Sequence, residues 1–361
     1  MRQCGSVLPK ALVEVEGKVL LEHAIEALQS LEISRIVIVV GHLESAIREY
    51  FSSRDSGVDV RFVRQERALG LANAIAVAST EITSDFVVLC PDNLYSDLTD
   101  LLRARDHFRT HRPTFLLLGT VTPTHQRNRG SYPIAARRNI GSNLYEYRAS
   151  NGKQAGIGIH STGCVFFQRE ALHFLPSVSQ PEKEHKFRDY LELISDQAES
   201  LIYILRGRRD DFSAPDDIQT YLELKARLRE TVGQGVSAIL MNEVGQILLQ
   251  QRDNNPNIRY PGHWSLFGGT IENGESPYEG LIREVQEEIG FEIRNFGLFR
   301  EFVHNNKHEF AFVGEITAEL SQLSLNEGDG MAFVDPSSIA ELLIRPDDKE
   351  TLNEYFGVEN N

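Results

Sequence analysis

Three glutamates lie within five residues of one another in the C-terminal third of the chain, in the stretch REVQEEIGF over residues 283–291. Glu284, Glu287 and Glu288 are spaced i, i+3 and i+4, so a helix would place all three carboxylates on one face. Crowded like charges destabilise a helix unless a cation neutralises them, and hard oxygen ligands suit Mg²⁺ or Mn²⁺. A metal held there can neutralise a diphosphate and activate an attacking water. The three glutamates are therefore candidate metal ligands.

These glutamates belong to a longer pattern that begins at Gly269. Five residues separate Gly269 from Glu275, seven more lead to Arg283, and Gly290 follows two positions after the last glutamate. The run matches G-x5-E-x7-R-E-U-x-E-E-x-G-U, in which U is apolar, at every fixed position. On these residues the region from about 233 to 361 resembles the Nudix hydrolases, metal-dependent enzymes that cleave a diphosphate linkage in nucleoside-diphosphate derivatives.

The resemblance implies an α/β/α fold and catalytic roles for Glu275, Arg283, Glu287 and Glu288. Arg283 is expected to act by positioning, since it can pair with Glu275 across the corner between loop and helix. A Glu-rich helical run is more often the solvated face of a surface helix. The spacing of the whole pattern favours the catalytic interpretation here.

Two residues outside the pattern are weaker candidates. Arg252, in LLQQR, resembles a position near the substrate, and a surface arginine is the alternative. Glu327 resembles the further carboxylate that Nudix enzymes place outside the pattern as general base or extra metal ligand, and a solvated loop residue is the alternative. If Glu327 is not the base, Glu309 and His304 are the next candidates.

The N-terminal part of the chain contains four short segments with residues suited to phosphate chemistry. Lys10 lies in LPKAL, Gln65 is followed by Gly70 in LGLA, Asp92 follows the apolar run of DFVVL, and Asp211 begins DFSAPDD. In this order the segments resemble the sugar-1-phosphate nucleotidyltransferases. Members of that family join a nucleotide from an NTP to a phosphorylated sugar or alcohol.

This second resemblance implies a Rossmann-like fold with a mainly parallel sheet. It implies phosphate contact by Lys10, metal binding by Asp92 and Asp211, and recognition of a pyrimidine nucleotide by Gln65 and Gly70. The residue types fit, because two aspartates with Mg²⁺ can hold an α-phosphate while a lysine stabilises charge. A glutamine amide also offers one donor and one acceptor to a uracil or thymine edge. The structural alternatives are a turn residue for Asp92 and a helix N-cap for Asp211.

The N-terminal segments depart from the family pattern in three places. The family has a strand and a G-x-G-x-R loop ahead of the lysine, whereas only nine residues precede Lys10. Residues 146–148, EYR, stand where the family has a Glu-Lys pair, and Cys90 and Pro91 replace a small residue and a glycine before Asp92. Either the true start lies upstream, or the domain has lost this loop and its transferase activity. The chain is accordingly a bifunctional enzyme, or a hydrolase with a non-catalytic nucleotide-binding or regulatory module.

Periodicity places these motifs on helices and strands. An amphipathic stretch over 20–31 and an apolar run over 35–40 begin an alternation typical of an α/β domain. A charged helical stretch over 216–231 is followed by glycines, which predicts a domain boundary there. The two predicted domains are residues 1–225 and 233–361. The other predicted elements are a helix over 73–79, strands over 85–89 and 115–118, and a hairpin formed by 236–240 and 246–250.

Composition limits the range of functions. A net charge of -15 over 361 residues argues against a general nucleic-acid binder, because affinity for the phosphate backbone needs an excess of Lys and Arg. Cys4, Cys90 and Cys164 are odd in number and widely spaced, which suggests neither a disulfide framework nor a zinc site and favours a cytoplasmic protein. No apolar run approaches the roughly 18 residues of a membrane helix. The expected partners are a nucleoside-diphosphate derivative and, for the N-terminal half, an NTP and a phosphorylated sugar or alcohol.

Overall fold

A computed structural model describes most of the chain, and Cys4 lies outside the described part. The described residues are 9–52, 57–122, 133–148, 158–177 and 186–357. The helices are α1 (Leu20–Ser30), α2 (Glu44–Ser52), α3 (Leu71–Ala78), α4 (Leu98–His111), α5 (Phe187–Ser195), α6 (Pro215–Leu228), α7 (Pro277–Ile289) and α8 (Pro346–Phe356). The strands are β1 (Glu14–Val15), β2 (Lys18–Val19), β3 (Arg35–Val40), β4 (Asp59–Arg64), β5 (Phe86–Leu89), β6 (Asn93–Tyr95), β7 (Phe115–Val121), β8 (Pro133–Gly141), β9 (Leu144–Arg148), β10 (Ile159–Phe167), β11 (Ser200–Ile204), β12 (Arg209–Asp211), β13 (Gln234–Met241), β14 (Ile247–Gln251), β15 (Trp264–Ser265), β16 (Phe296–His304), β17 (Lys307–Glu315) and β18 (Gly330–Val334).

The N-terminal region is built around a six-stranded sheet with the order β5-β10-β7-β11-β9-β8. Its central strands β7 and β11 are almost wholly buried and pair in parallel, with Ser200 opposite Phe115. Strands covered on both faces need continuous apolar runs, which explains the Phe-Leu-Leu-Leu sequence of β7. β3 and β4 form a second parallel pair, and antiparallel strands lie on either side of β7 and β11. The α/β fold class is confirmed, and the sheet is mixed: of its five neighbouring pairings, that of β7 with β11 is parallel and the other four are antiparallel.

The C-terminal region contains a second sheet, with the order β15-β14-β13-β17-β16 and β18 paired to β14. Alternate residues of β13 point to opposite faces, as the period of a strand requires. Ala238 and Leu240 pack with Val285 of α7 on one face, while Ile239 packs with Tyr355 of α8 on the other. The sheet therefore lies between two helices, which is the α/β/α arrangement that the sequence predicts.

Three elements predicted from the sequence occur close to their expected positions. The helix predicted over 73–79 is α3, and the charged stretch after residue 216 forms α6. The predicted hairpin is the antiparallel pair of β13 and β14, with Leu240 opposite Leu248. No helix within the described ranges is long and apolar enough to cross a membrane.

The two regions share one hydrophobic core rather than meeting at a thin contact. Asn143, which is fully buried, lies at their junction and adopts a left-handed φ of 64°. Its Nδ2 donates to the carbonyl of Phe296 at 2.7 Å and to that of Ile204 at 3.0 Å, and its Oδ1 accepts from Phe296 N at 2.9 Å. Gly297 follows, and a Cβ there would lie 2.7 Å from Val121. One side chain thus supplies backbone partners to strands of both regions.

We predict that Asn143→Ala lowers the free energy of unfolding of the full chain substantially. The substitution leaves buried backbone groups of Phe296 without partners, at about 1–3 kcal/mol for each unsatisfied group. Urea unfolding followed by circular dichroism measures the loss. Ser142→Ala, on the exposed neighbour in the same turn, is the matched control and should change stability by less than about 0.5 kcal/mol. Equal stability of the two variants would show that the junction does not depend on this side chain.

Candidate functional site

The three glutamates predicted as metal ligands lie on α7, whose start is firmly defined. Ser276 is the N-cap, and its Oγ accepts from Glu279 N at 3.3 Å while Glu279 Oε2 accepts from Ser276 N at 2.9 Å. This reciprocal pair is a capping box, which stabilises the first turn. Leu281, Val285 and Ile289 are buried against the sheet, so burial of this apolar stripe sets the rotation of the helix and the positions of its glutamates.

Arg283 connects the helix to the loop before it. Its guanidinium binds Glu275 through two hydrogen bonds of 3.0 Å, and it also donates to Glu284 at 2.9 Å and to Glu287 at 3.1 Å. The expected pairing of Arg283 with Glu275 is present in the structure. The hydrogen bond from Arg283 lowers the pKa of Glu275. A bidentate pair of this kind holds the loop in a defined orientation.

Glu288 is the most deeply buried of the three glutamates and lies beneath the loop. Its Oε1 accepts from Gln250 Nε2 and its Oε2 from Gly268 N, both at 2.8 Å. Burial, reinforced by the nearby charges of Glu284 and Glu327, raises the pKa of Glu288 to about 7. The negative charge of ionised Glu288 is unfavourable because the side chain is buried. The two hydrogen bonds stabilise this charge, and a cation would stabilise it further.

Two glycines allow these carboxylates to approach the backbone. Gly268 has a φ of 140°, and a Cβ there would collide with the carbonyl oxygen of Val236. A Cβ on Gly269 would lie 2.5 Å from the carboxylate of Glu284. The first glycine of the sequence pattern is therefore required because a carboxylate occupies the space that a side chain would need.

Glu327 is brought to the same place by the end of α7. Asn326 donates from Nδ2 to the carbonyl of Glu287 at 2.7 Å and from N to the carbonyl of Glu288 at 2.8 Å. The exposed Glu327 follows directly, close enough for its charge to raise the pKa of Glu288. The sequence pattern alone does not require this proximity.

The cluster carries more negative than positive charge. Three of its five carboxyl groups bind Arg283, which is the only cation in the described residues that hydrogen-bonds to any of the five. The other two, Glu288 and Glu327, lie near each other, and Glu288 also lies near Glu284. Within the same ranges, no three His, Cys, Asp or Glu side chains converge as a finished metal site. Glu284 and Glu287 both accept from Arg283, and Glu288 accepts from Gln250 and Gly268. Excess carboxylate with oxygens still available fits a hard divalent cation. The five groups are Glu275, Glu284, Glu287, Glu288 and Glu327.

Gln250 is a site residue that the sequence reasoning missed. It is 6% exposed and is the first polar residue in the apolar run of β14. A buried amide in such a strand needs a partner, and this break in the apolar pattern was the available signal. Arg252, the predicted substrate residue, instead donates from Nε to the carbonyl of Arg259 at 3.2 Å and has no described bond to the glutamates.

The N-terminal candidates Lys10, Asp92 and Asp211 also meet in space. The ladder between β6 and β12 places Asp211 opposite Asn93, and Phe212 N donates to the carbonyl of Asp92 at 2.9 Å. Lys10 Nζ lies 2.8 Å from Asp92 Oδ2. The N-cap of α6 is Ala214 rather than Asp211, so the capping alternative for Asp211 was wrong.

Arg209 and Cys90 join this cluster and were not predicted. Arg209 lies 4% exposed, with Nη2 3.3 Å from Asp211 and Nη1 2.6 Å from Asn93 Oδ1. Burial, together with the charges of Asp92 and Asp211, raises the pKa of Cys90 to about 12. Cys90 is therefore a neutral thiol beside the two aspartates.

Gln65 and Gly70, the predicted pyrimidine-binding residues, are in direct contact. Gln65 Nε2 donates to the carbonyl of Gly70 at 3.1 Å and to Asn73 Oδ1 at 2.8 Å. Gly70 has a φ of 84° and is the N-cap of α3. The amide donors of Gln65 therefore order the turn, and binding a base edge through them would require one of these bonds to break.

Comparison with known proteins divides the chain in the same way. The family model of the NUDIX domain matches residues 231–355, and that of the MobA-like NTP transferase domain matches residues 2–161. Both matches indicate enzymatic activity. The bifunctional protein GlmU of Syntrophomonas wolfei is 28% identical over 222 residues, covering 59% of this chain and 48% of that protein.

Two further comparisons concern the N-terminal part. The UTP–glucose-1-phosphate uridylyltransferase AglF of Haloferax volcanii is 31% identical over 96 residues, which cover 26% of this chain and 40% of that protein. The matches thus span less than half the length of these two curated relatives. A solved UDP-glucose pyrophosphorylase of Acinetobacter baumannii is similar with a TM-score of 0.51 at 17% identity, covering 62% of this chain and 87% of that one. That likeness concerns the fold alone.

We predict that Glu288 makes the metal-free protein less stable as the pH rises from 5 to 8. The folded-state pKa of about 7 lies above the usual value for glutamate of about 4.3. The stability that protonated Glu288 contributes is therefore fully present below the usual pKa of glutamate. It is lost as the pH rises through the folded-state pKa of Glu288. The substitution Glu288→Gln replaces the carboxyl group by an amide that is neutral at every pH. Gln250 can rotate its own amide so that its oxygen accepts a hydrogen bond from the amide introduced at position 288.

Thermal unfolding in EDTA at several pH values measures this effect. The variant should gain stability relative to the wild type as the pH rises. Asp348, whose pKa burial also raises to about 7, is present in both proteins and cancels in the comparison. Parallel stability curves for the two proteins would contradict the prediction.

Proposed function

We propose that this chain, which carries an NTP transferase domain followed by a NUDIX domain, hydrolyses a diphosphate linkage in a nucleoside-diphosphate derivative at the carboxylate cluster of α7. The observation that carries the proposal is the crowding of carboxyl groups at this place: three share Arg283, and the buried Glu288 lies near Glu284 and Glu327. We place the boundary between the two domains between residues 225 and 233, at the end of α6.

The glutamates of α7 have different roles in this proposal. Glu284, Glu287 and Glu288 would hold Mg²⁺ or Mn²⁺, which neutralises the charge of the diphosphate and lowers the pKa of a bound water. Glu284 Oε2 and Glu287 Oε1 accept no hydrogen bond from the described residues, so these atoms are available to a cation. Glu288 is fixed by Gln250 and Gly268, which gives the site one preorganised ligand.

Arg283 and Glu275 act as positioning residues. Their bidentate contact, together with the bond of 2.9 Å from Arg283 to the carbonyl of Thr270, ties the loop to α7. Glu327 is the candidate general base, since its exposed carboxylate can accept a proton from the attacking water. Arg252 remains a candidate for binding the substrate from the end of β14.

For the N-terminal domain we propose binding of a nucleotide. Support comes from the convergence of Lys10 with Asp92 and Asp211. Gln65 and Gly70 remain the candidate pyrimidine-binding residues. If the domain is a transferase, its substrates are an NTP and a phosphorylated sugar or alcohol, and the chain is bifunctional in nucleotide-sugar metabolism. If it is not, the domain is a nucleotide-binding or regulatory module for the hydrolase. Incubation of the full chain with Mg²⁺ and panels of nucleotide sugars, dinucleotides and NTPs identifies the hydrolase substrate.

We predict that Glu287→Gln lowers hydrolase turnover by several orders of magnitude and leaves the fold intact. The substitution removes a ligand charge that stabilises the transition state, and the side chain is 60% exposed, so packing is not disturbed. Turnover is measured at saturating Mg²⁺ on a substrate found in the panel. Gln286→Ala, on the adjacent exposed residue of the same helix, should retain activity. A fully active Glu287→Gln would exclude the proposed site.

We predict that Glu327→Gln lowers kcat with little change in KM and flattens the acidic limb of the pH–rate profile. A general base accelerates the chemical step without being needed for substrate binding. Glu341→Gln, which removes the same charge from an exposed position on the same domain, is the control. If Glu327→Gln keeps the wild-type profile, the base lies elsewhere, with Glu309 and His304 next to be tested.

A further inference from the structure

We infer that the aspartate pair of the N-terminal domain, Asp92 and Asp211, holds no divalent cation, and that among the described residues a divalent cation binds at the carboxylates of α7 instead. The second part of this inference, that a cation binds at the carboxylates of α7, rests on the proposed function. The pair resembles a metal site in sequence, but its surroundings in the structure do not fit one.

Each of the four carboxylate oxygens of the pair already accepts a hydrogen bond from this chain. Asp92 Oδ2 accepts from Lys10 Nζ at 2.8 Å, and Asp92 Oδ1 accepts from Asn93 Nδ2 at 3.0 Å. Asp211 Oδ2 accepts from Arg209 Nη2 at 3.3 Å, and Asp211 Oδ1 accepts from the hydroxyl of Ser213. Two of these four donors are the cations Lys10 and Arg209, whose charge opposes a divalent ion, whereas Glu288 of α7 accepts only from neutral donors.

Arg209 is the donor that cannot easily leave. Its side chain is 4% exposed, and Nη1 is also bonded to Asn93 Oδ1 at 2.6 Å. Its strand, β12, is paired to β6, which follows the turn that carries Asp92. Rotation of the guanidinium away from Asp211 would leave a buried cation unpaired, which is strongly unfavourable. Lys10, with 39% of its side chain exposed, is by contrast free to move.

Charge balance separates this cluster from the one on α7. Among the residues that the structure describes, the two aspartates face two cations, Lys10 and Arg209, so their charge is balanced without a metal. The cluster on α7 has five carboxyl groups and one guanidinium, and only there would a divalent cation relieve repulsion.

A consequence for function follows from this difference. Without a cation at the aspartate pair, the N-terminal domain lacks the metal-assisted stabilisation of a transferring phosphoryl group. The domain would then bind its nucleotide without a metal ion, with Lys10, Gln65 and Gly70 as the candidate contacts. This supports the role of a binding or regulatory module over that of a second metal-dependent enzyme.

Binding of Mn²⁺ to the full chain, followed by the electron paramagnetic resonance of the free ion, tests the inference. The double variant Asp92→Asn with Asp211→Asn should bind the same number of Mn²⁺ ions as the wild type, with affinity unchanged within twofold, both alone and with UTP present. Glu287→Gln should weaken Mn²⁺ binding at least tenfold. Loss of one or more bound Mn²⁺ ions from the aspartate variant would overturn the inference while leaving the proposed hydrolase intact. Unchanged binding by Glu287→Gln would instead count against the proposed hydrolase site.

A gain-of-binding variant tests the physical cause. Arg209→Gln removes the buried cation and releases Asp211, so it should bind at least one additional Mn²⁺ ion, and adding Asp211→Asn should reverse the gain. Thermal unfolding establishes that the variant is folded. If it is not, Lys10→Met removes the other cation at the protein surface and should raise Mn²⁺ affinity at Asp92 by a measurable but smaller factor. Absence of any gain in a folded Arg209→Gln would contradict the role of Arg209.

Discussion

The burial of Glu288 is the constraint on which the organisation of the C-terminal site depends. A carboxylate in the interior needs hydrogen-bond donors, and this one obtains them from a strand and from a loop, through Gln250 and Gly268. The loop can approach only because Gly268 and Gly269 have no side chains. Since the same loop is tied to α7 by Arg283, one buried group specifies the relative positions of helix, strand and loop.

The chain contains two acidic clusters with opposite electrostatic designs. In the cluster on α7, one guanidinium is shared among several glutamates, and negative charge remains in excess. In the N-terminal cluster, the carboxylates of Asp92 and Asp211 are matched by Lys10 and Arg209. The first arrangement is suited to a cation and a phosphorylated substrate, whereas the second is already neutral. The division of labour that we propose between the domains follows from this difference.

The two domains are joined by more than their linker. Asn143 bonds to strands of both domains. Arg208 of the N-terminal domain donates to Glu301 of the C-terminal domain at 2.8 Å, and Glu301 also contacts His308 at 2.6 Å. Hydrophobic residues from both sheets form one continuous core. A nucleotide bound by the N-terminal domain could therefore affect the hydrolase domain through the shared core. A regulatory module requires such a physical connection.

Local sequence was sufficient to predict the helix of the site and the ion pair at its start. The spacing of Glu284, Glu287 and Glu288, and the ion pair of Arg283 with Glu275, depend on helical periodicity and on a short loop, so they are readable from neighbouring residues. The α/β alternation and the hairpin of β13 and β14 followed from the same kind of pattern. The partners of these groups were decided by tertiary structure, because they come from distant parts of the chain. Gln250 reaches Glu288 across 38 positions, and Arg209 reaches Asn93 across 116. Whether a carboxylate stays available to a metal or is neutralised by a buried arginine depends on such long-range contacts. The spacing of residues along the sequence does not predict them.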